Sequence, residues 1–191
     1  MENKKIWVFG KNTVFSVLSS QKRKVHEIQI LNEGFYNKIH SKYHPICKIV
    51  SEKRFLKNLQ AEIAHQGISA YVDAKPNNKI EDIEGNVIIL DNVYDHRNIG
   101  SIIRTAIAFG INNIIIEKRN FSVGSQLMHK TASGAIENIN FYEVTNISNA
   151  LLILKKKNYI ILSFDGDSEC SAFDNESLFL CEKISFIFGS E

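Results

Sequence analysis

The chain is poor in cysteine: Cys47, Cys170 and Cys181 are an odd set at wide spacing in 191 residues, which argues against a disulfide framework and against a zinc site. Reduced, mostly buried thiols are the expectation. The amino terminus, MENKKIWVFGK, lacks the apolar core of a secretory signal, and no apolar run approaches the length of a membrane span. A cytoplasmic location is therefore expected. None of the six histidines falls in a metal-ligand pair, so no metal is expected. His26, His40, His44 and His65 read as surface or packing residues, and His96, in the loop before Asn98, is placed to approach a substrate but receives no chemical role. No internal repeat is visible. No G-x-G-x-x-G follows a strand with an acidic residue about twenty positions later, and a nicotinamide-binding oxidoreductase is set aside on that ground.

What is present is an ordinary globular composition, 44% hydrophobic and 23% charged, long enough for one large domain or two small ones. The net charge of +2 hides an asymmetry. Residues 1–80 hold 14 Lys/Arg against 6 Asp/Glu, and residues 81–191 hold 9 against 15. Two readings stay open. Either the amino-terminal part, with its patch Lys22-Arg23-Lys24, faces a polyanion through phosphate-neutralising cations, or these are solvated residues of a Lys/Asn/Ile-rich chain.

Residues 5–10 read as an entry segment and 11–20 as a helix with Val14, Phe15, Val17 and Leu18 on its buried side. A strand at 28–31, a helical region at 34–43, a strand at 47–50 and a helix at 52–64 complete an αβαβα unit. The polar, proline-containing stretch around residues 71–86 marks a boundary, placing an amino-terminal domain at 1–72, a linker at 73–84 and a second domain at 85–191. In the second domain, strands at 87–90, 112–116, 140–144, 159–163 and 184–188 alternate with helices near 98–109, 125–132 and 146–157. That alternation predicts a parallel α/β sheet.

One corner of that sheet is the most informative. The β-branched run Val87–Leu90 fits a strand buried on both faces. A polar loop from Asp91 follows, and Asn98-Ile99-Gly100-Ser101 leads into a helix with Ile102, Ile103, Ala106, Ile107 and Phe109 as its apolar pattern and Gly110 as its stop. Arg104 lies one turn inside. It is either a solvated helix residue or a charge at the carboxyl end of a strand, where open α/β sheets bind ligands. Asn98 reads as an N-cap or a polar contact. Gly100 either eases the turn or leaves backbone room beside a ligand.

The string NIGSIIRTAIAFG, with Asn98, Gly100 and Arg104, resembles the first motif of the SpoU (TrmH-type) RNA 2'-O-ribose methyltransferases. ISFIFGSE at 184–191 resembles the strand and Gly-Ser-Glu that open the second motif, and HKTASGAIENINFYEV resembles the segment between them. VFGKNTVFSVL at 8–18 and HQGISAYV at 65–72 resemble the start and end of the family's small substrate-binding domain. The resemblance implies a small amino-terminal RNA-binding domain of αβα type joined to a parallel-sheet SPOUT domain of trefoil-knot type. It implies S-adenosyl-L-methionine as cofactor, RNA as partner and a homodimer.

Residue by residue, the resemblance makes Arg104, Asn98 and Glu191 candidate catalytic residues, and Gly189, Asp165 and Gly166 candidates for the cofactor pocket. Lys22, Arg23, Lys24 and Lys130 are candidate RNA contacts. Ser133, Gly134 and Glu137 are candidates for contact with RNA or a second subunit. A third motif, roughly Asn-Ser-x-Asn-x-Ser-x-Ala, would follow Glu191, so the chain reads as a truncated enzyme with its knot segment missing and weakened cofactor binding. The implied reaction is methyl transfer to a ribose 2'-hydroxyl, with a guanosine of large-subunit ribosomal RNA ahead of transfer RNA. A non-catalytic RNA-binding remnant is the alternative from another class.

Overall fold

The computed structural model describes residues 4–60, 62–164 and 181–189. The chain forms two compact units that are not contiguous in sequence. One contains Met1–Lys75, Asp95–Arg104 and Ser122–Asn138, and the other Pro76–Tyr94, Thr105–Phe121 and Ile139–Glu191.

In the first unit, strands β1 (Lys5–Phe9), β2 (Val25–Ile30), β3 (Cys47–Ile49) and β4 (Ile68–Asp73) form a mixed sheet in the order β1-β4-β2-β3. β4 runs antiparallel to both β1 and β2, while β2 and β3 are parallel. Alternation sends Ile6, Val8, Ile28, Ile30, Ile68, Ala70 and Val72 to one face, against Val14, Val17 and Leu18 of helix α1 (Lys11–Ser20). Each fully buried aliphatic side chain there stabilises the fold by about 1.5–3 kcal/mol before chain entropy is subtracted.

Four sequence expectations change here. The entry segment at 5–10 is a sheet strand, and Ile68–Asp73, which the sequence reading leaves without an element, is strand β4. The helical region at 34–43 is two 3-10 turns, Glu33–Lys38 and Ser41–Ile46; the first is capped by the Asn32 side chain and the second carries Pro45 inside it. The helix expected over 52–64 is only α2 (Glu52–Leu56). It stops because a distant side chain takes over its backbone: Gln126 accepts from the Gln60 amide at 2.9 Å and donates to the Asn58 carbonyl at 2.8 Å. The unit is thus built on a four-stranded mixed sheet, and not on an αβαβα chain.

The second unit carries a parallel sheet, as the alternation predicts. β5 (Val87–Asp91), β6 (Asn113–Glu117), β7 (Asn140–Val144), β8 (Ile160–Ser163) and β9 (Ile184–Gly189) lie in the order β7-β6-β5-β9-β8. Helix α5 (Ile147–Lys156), capped by the Asn146 side chain on the Asn149 amide, lays Ile147, Ala150 and Leu154 against Val87, Ile89, Ile115, Tyr142 and Tyr159. Polar ties lock the turn before β5. Asn113 donates to the Asn86 carbonyl at 3.1 Å, Tyr159 to the Gly85 carbonyl at 2.8 Å, and Asn86 accepts from the Ile184 amide at 2.9 Å. The chain builds outward from β5 to β7 and then returns on the other side through β8 and β9, so the strand order reverses between β5 and β9. Such a reversal is where open parallel sheets bind ligands, at the carboxyl ends of the strands.

Candidate functional site

At that reversal Asp91 closes β5 and is paired with Gly189 at the end of β9. Gly189 is exposed and its backbone is not left-handed; among the described residues a Cβ built on it would meet nothing nearer than the Asp91 carbonyl oxygen at 3.9 Å. Among the described residues neither packing nor a turn requires glycine there, and an exposed strand end without a side chain fits the close approach of a ligand to the backbone. The chain leaves β5 through Asn92, which has φ +56°. Asparagine tolerates that left-handed conformation better than most residues, and its side-chain oxygen accepts from the Tyr94 hydroxyl at 2.7 Å.

Helix α3 (His96–Ala108) follows. Its cap is Asp95, whose carboxylate accepts from the Arg97 amide at 2.8 Å and whose carbonyl accepts from Ile99. Asn98 is therefore released from capping and sits exposed in the first turn. Ile99 and Ile103 are fully buried, while Arg97, Asn98, Ser101, Arg104 and Thr105 share the exposed side. Six residues of helix separate Asn98 from Arg104, a rise of roughly 9 Å, so one extended ligand, and not one atom, would touch both. Among the described residues no hydrogen bond or ion pair holds the Arg104 guanidinium. The apolar pattern misleads at Phe109, which is 80% exposed, because Gly110 (φ +76°) ends the helix beside it.

The family model described as "SpoU rRNA Methylase family" matches residues 85–191. The chain belongs to the SpoU rRNA methylase family. A Staphylococcus saprophyticus protein named for the TrmH family of tRNA/rRNA methyltransferases is 33% identical over 136 residues, 66% of this chain and 53% of that one. The 23S rRNA (guanosine-2'-O-)-methyltransferase RlmB of Nitrosomonas europaea is 29% identical over 75% of this chain and 56% of its own length. The chain thus spans little more than half the length of these curated relatives. A solved rRNA methyltransferase of Sinorhizobium meliloti, bound to AdoMet, shares the fold at TM-score 0.79 and 16% identity, over 98% of this chain and 71% of that one.

Gly100, the glycine of the SpoU first motif, is neither in a turn nor open to a ligand. It lies in the second turn of α3 against helix α4 (Gln126–Ala132), and a Cβ on it would stand 2.8 Å from the Met128 carbonyl oxygen and 2.8 Å from Thr131 Cβ. Backbone meets backbone at this crossing. Gly100→Ala is expected to force the helices apart and destabilise by about 1–3 kcal/mol, measured by urea unfolding; an unchanged midpoint would show that the crossing is looser than drawn.

The basic residues divide. Arg23, expected at an RNA surface, has a side chain only 2% exposed, equal to that of Glu137, which it grips through Nε at 3.1 Å and through Nη2; Nη1 donates to the Asp73 carbonyl. It has no face left for a phosphate, and Glu137 has none for RNA or a second subunit. Lys22 is exposed, yet its ammonium donates to the Glu137 carbonyl at 3.2 Å and the Asn138 side chain at 3.0 Å. Lys130 donates to Gln66 at 2.8 Å, and partial burial pulls its pKa below the ordinary lysine value. Lys24 alone of the four is plainly exposed with no such tie among the described residues. Asp165, Gly166 and Glu191 lie outside the described residues. Sequence reading missed Asp95 as the cap and Lys75, whose partly buried ammonium donates to the Ile136 and Glu137 carbonyls at 3.1 and 3.0 Å. Burial lowers the Lys75 pKa to about 8.

His129 on α4 is buried, with Nε2 2.9 Å from the Val123 carbonyl and Nδ1 without a partner among the described residues. Burial first, and the nearby Arg23 charge second, hold its pKa down to about 3. The folded imidazole is therefore neutral where the unfolded one protonates. Its contribution is complete above about pH 6.5 and is lost as pH falls toward 3, by up to about 1.4 kcal/mol per pH unit. Urea midpoints of the chain and of His129→Gln should converge as pH drops from 7 to 4. Parallel profiles would refute the buried neutral histidine.

Proposed function

We propose that the chain performs S-adenosyl-L-methionine-dependent methyl transfer to a ribose 2'-hydroxyl of RNA, with a guanosine of 23S ribosomal RNA as the target. The observation that carries this reading is the presentation of Asn98 and Arg104 on α3, within the segment that matches the family model, exposed and with no partner among the described residues. Relatives named as 23S rRNA guanosine 2'-O-methyltransferases support the target, and fold neighbours solved with AdoMet support the cofactor. When bound, the cofactor supplies an electrophilic sulfonium methyl; Gly189 is the described residue that would line its site.

The chain's own residues handle the nucleophile. A guanidinium holds its proton too tightly to act as a general base, so Arg104 pairs with a phosphate beside the target ribose and stabilises the alkoxide as it develops, while that phosphate, or water, takes the 2'-hydroxyl proton. Asn98, donor and acceptor at once, orients the nucleotide. In this reading residues 1–72 recognise RNA, residues 85–191 carry the chemistry, and the protein acts as a cytoplasmic homodimer.

The test is transfer of labelled methyl from S-adenosylmethionine to unmodified ribosomal and transfer RNA, with nucleoside analysis. Labelled 2'-O-methylguanosine from 23S RNA is expected. Label confined to transfer RNA would replace the substrate class, and RNA binding without label would favour a non-catalytic RNA-binding role.

A further inference from the structure

The sheet of the first unit has one face filled by α1 and the 3-10 turns; the opposite face carries a continuous aromatic row. In register across β1, β4 and β2 stand Trp7, Tyr71 and Glu27. The Trp7 and Tyr71 rings stack at 5.1 Å and 28°, and His26 lies 5.9 Å from Tyr71. At the other end Trp7 approaches Phe9 at 6.5 Å, and Phe9 is covered edge-on by Phe55 of α2. Phe9 and Phe55 are fully buried, whereas Trp7, Tyr71 and His26 are only half-buried. Alternation normally sends polar side chains to the solvated face of such a sheet. Here it sends large π-surfaces, with the exposed Lys5 and Lys24 at the same end of the strands.

We propose that Trp7, Tyr71 and His26 form a stacking platform for an unpaired base of single-stranded RNA, with Lys5 and Lys24 taking the flanking phosphates. The proposal rests on the RNA-modifying function above and locates where that RNA is held. Aromatic rings on a sheet face are a recurrent way to stack splayed-out bases without demanding one sequence. Charge chooses this occupant over a second copy of the chain. On this face Glu27 is paired with Lys48 and Arg54 and Asp73 with His26, which leaves the exposed cations Lys5 and Lys24 to attract a polyanion and to oppose a duplicate of themselves. The His26–Asp73 pair, 2.6 Å between Nε2 and Oδ1, adds a hydrogen-bonding edge beside the rings.

Trp7 is the sole tryptophan, so its emission reports on this face alone. A short unstructured oligoribonucleotide carrying a dye is titrated with the unmodified chain. Dye anisotropy reports binding anywhere, and Trp7 emission reports binding at the platform. Emission is expected to be quenched along the same isotherm as the anisotropy, with little response to the same sequence in a perfect duplex. Trp7→Ala and Tyr71→Ala should each weaken single-strand binding roughly five- to hundredfold, while Trp7→Phe and Tyr71→Phe, which keep the ring, should bind within a few-fold of the unmodified chain. Anisotropy without quenching, or alanine variants that bind undiminished, would overturn the platform and leave the RNA reading standing. No binding in either channel would overturn both. Emission that changes with protein concentration before RNA is added would assign the face to a second copy instead.

Discussion

Glu137→Gln is expected to destabilise the chain by about 3–5 kcal/mol, the usual effect of removing one partner from a buried ion pair. Total stabilities are commonly only 5–15 kcal/mol, so this single change of charge would bring the fold near its limit. Glutamine keeps the shape and one acceptor oxygen, but it leaves the guanidinium of Arg23 enclosed with its charge uncompensated. The effect does not stop at Arg23. The ammoniums of Lys22 and Lys75 both donate to the Glu137 carbonyl, and the Glu137 charge is what opposes the downward pull of burial on the Lys75 pKa. In the variant the Lys75 pKa should fall below about 8, deepening the loss at neutral pH. The double variant Arg23→Met/Glu137→Leu should recover most of the stability, because an apolar pair of similar volume carries no desolvation penalty. Urea unfolding followed by circular dichroism decides it, and a Glu137→Gln shift under 1 kcal/mol would mean the pair is wetter than its 2% exposure indicates.

Arg104→Ala should do the opposite, stopping chemistry while sparing the fold. On the proposed function, losing a cation that stabilises developing oxyanion charge is expected to lower the rate of methyl transfer by about 10²–10³. Because Arg104 is exposed and no described residue bonds to it, stability should stay within about 0.5 kcal/mol. RNA affinity should change little, since Arg104 is one of several cations proposed to meet phosphates. Arg104→Lys keeps the charge but not the planar fork, and an intermediate rate is expected from it. Undiminished transfer by Arg104→Ala would remove this residue from the mechanism. The contrast with Glu137 is informative because both are charged residues near family motifs, and only burial separates them.

Much of the second unit was legible because its signals are local. The apolar runs Val87–Leu90 and Ile114–Ile116 are buried on both faces, Ile184–Ile187 is interrupted only by Ser185, and a strand, loop and helix of the right lengths follow one another. The first unit was less legible for a physical reason. Its strand β4 begins after two left-handed residues, Gln66 and Gly67, and draws its stability from pairing with β1 and β2 on both sides, which no local window contains. The end of α2 is decided by Gln126, more than sixty residues away. A helical reading through 52–64 could not anticipate that.

The same division runs through the candidate site. Residue types and their order determined the family motifs, the parallel sheet, the strand end at Asp91 and the nomination of Asn98 and Arg104, because these follow from short-range periodicity and from the spacing of a few chemical groups. Only the tertiary structure decided that Gly100 serves a helix crossing, that Asp95 does the capping, that Arg23 is locked to Glu137, and that Trp7 and Tyr71 meet on one sheet face. Burial and pairing depend on what the rest of the chain brings alongside, and an arginine reads the same in a sequence whether it faces water or a buried carboxylate.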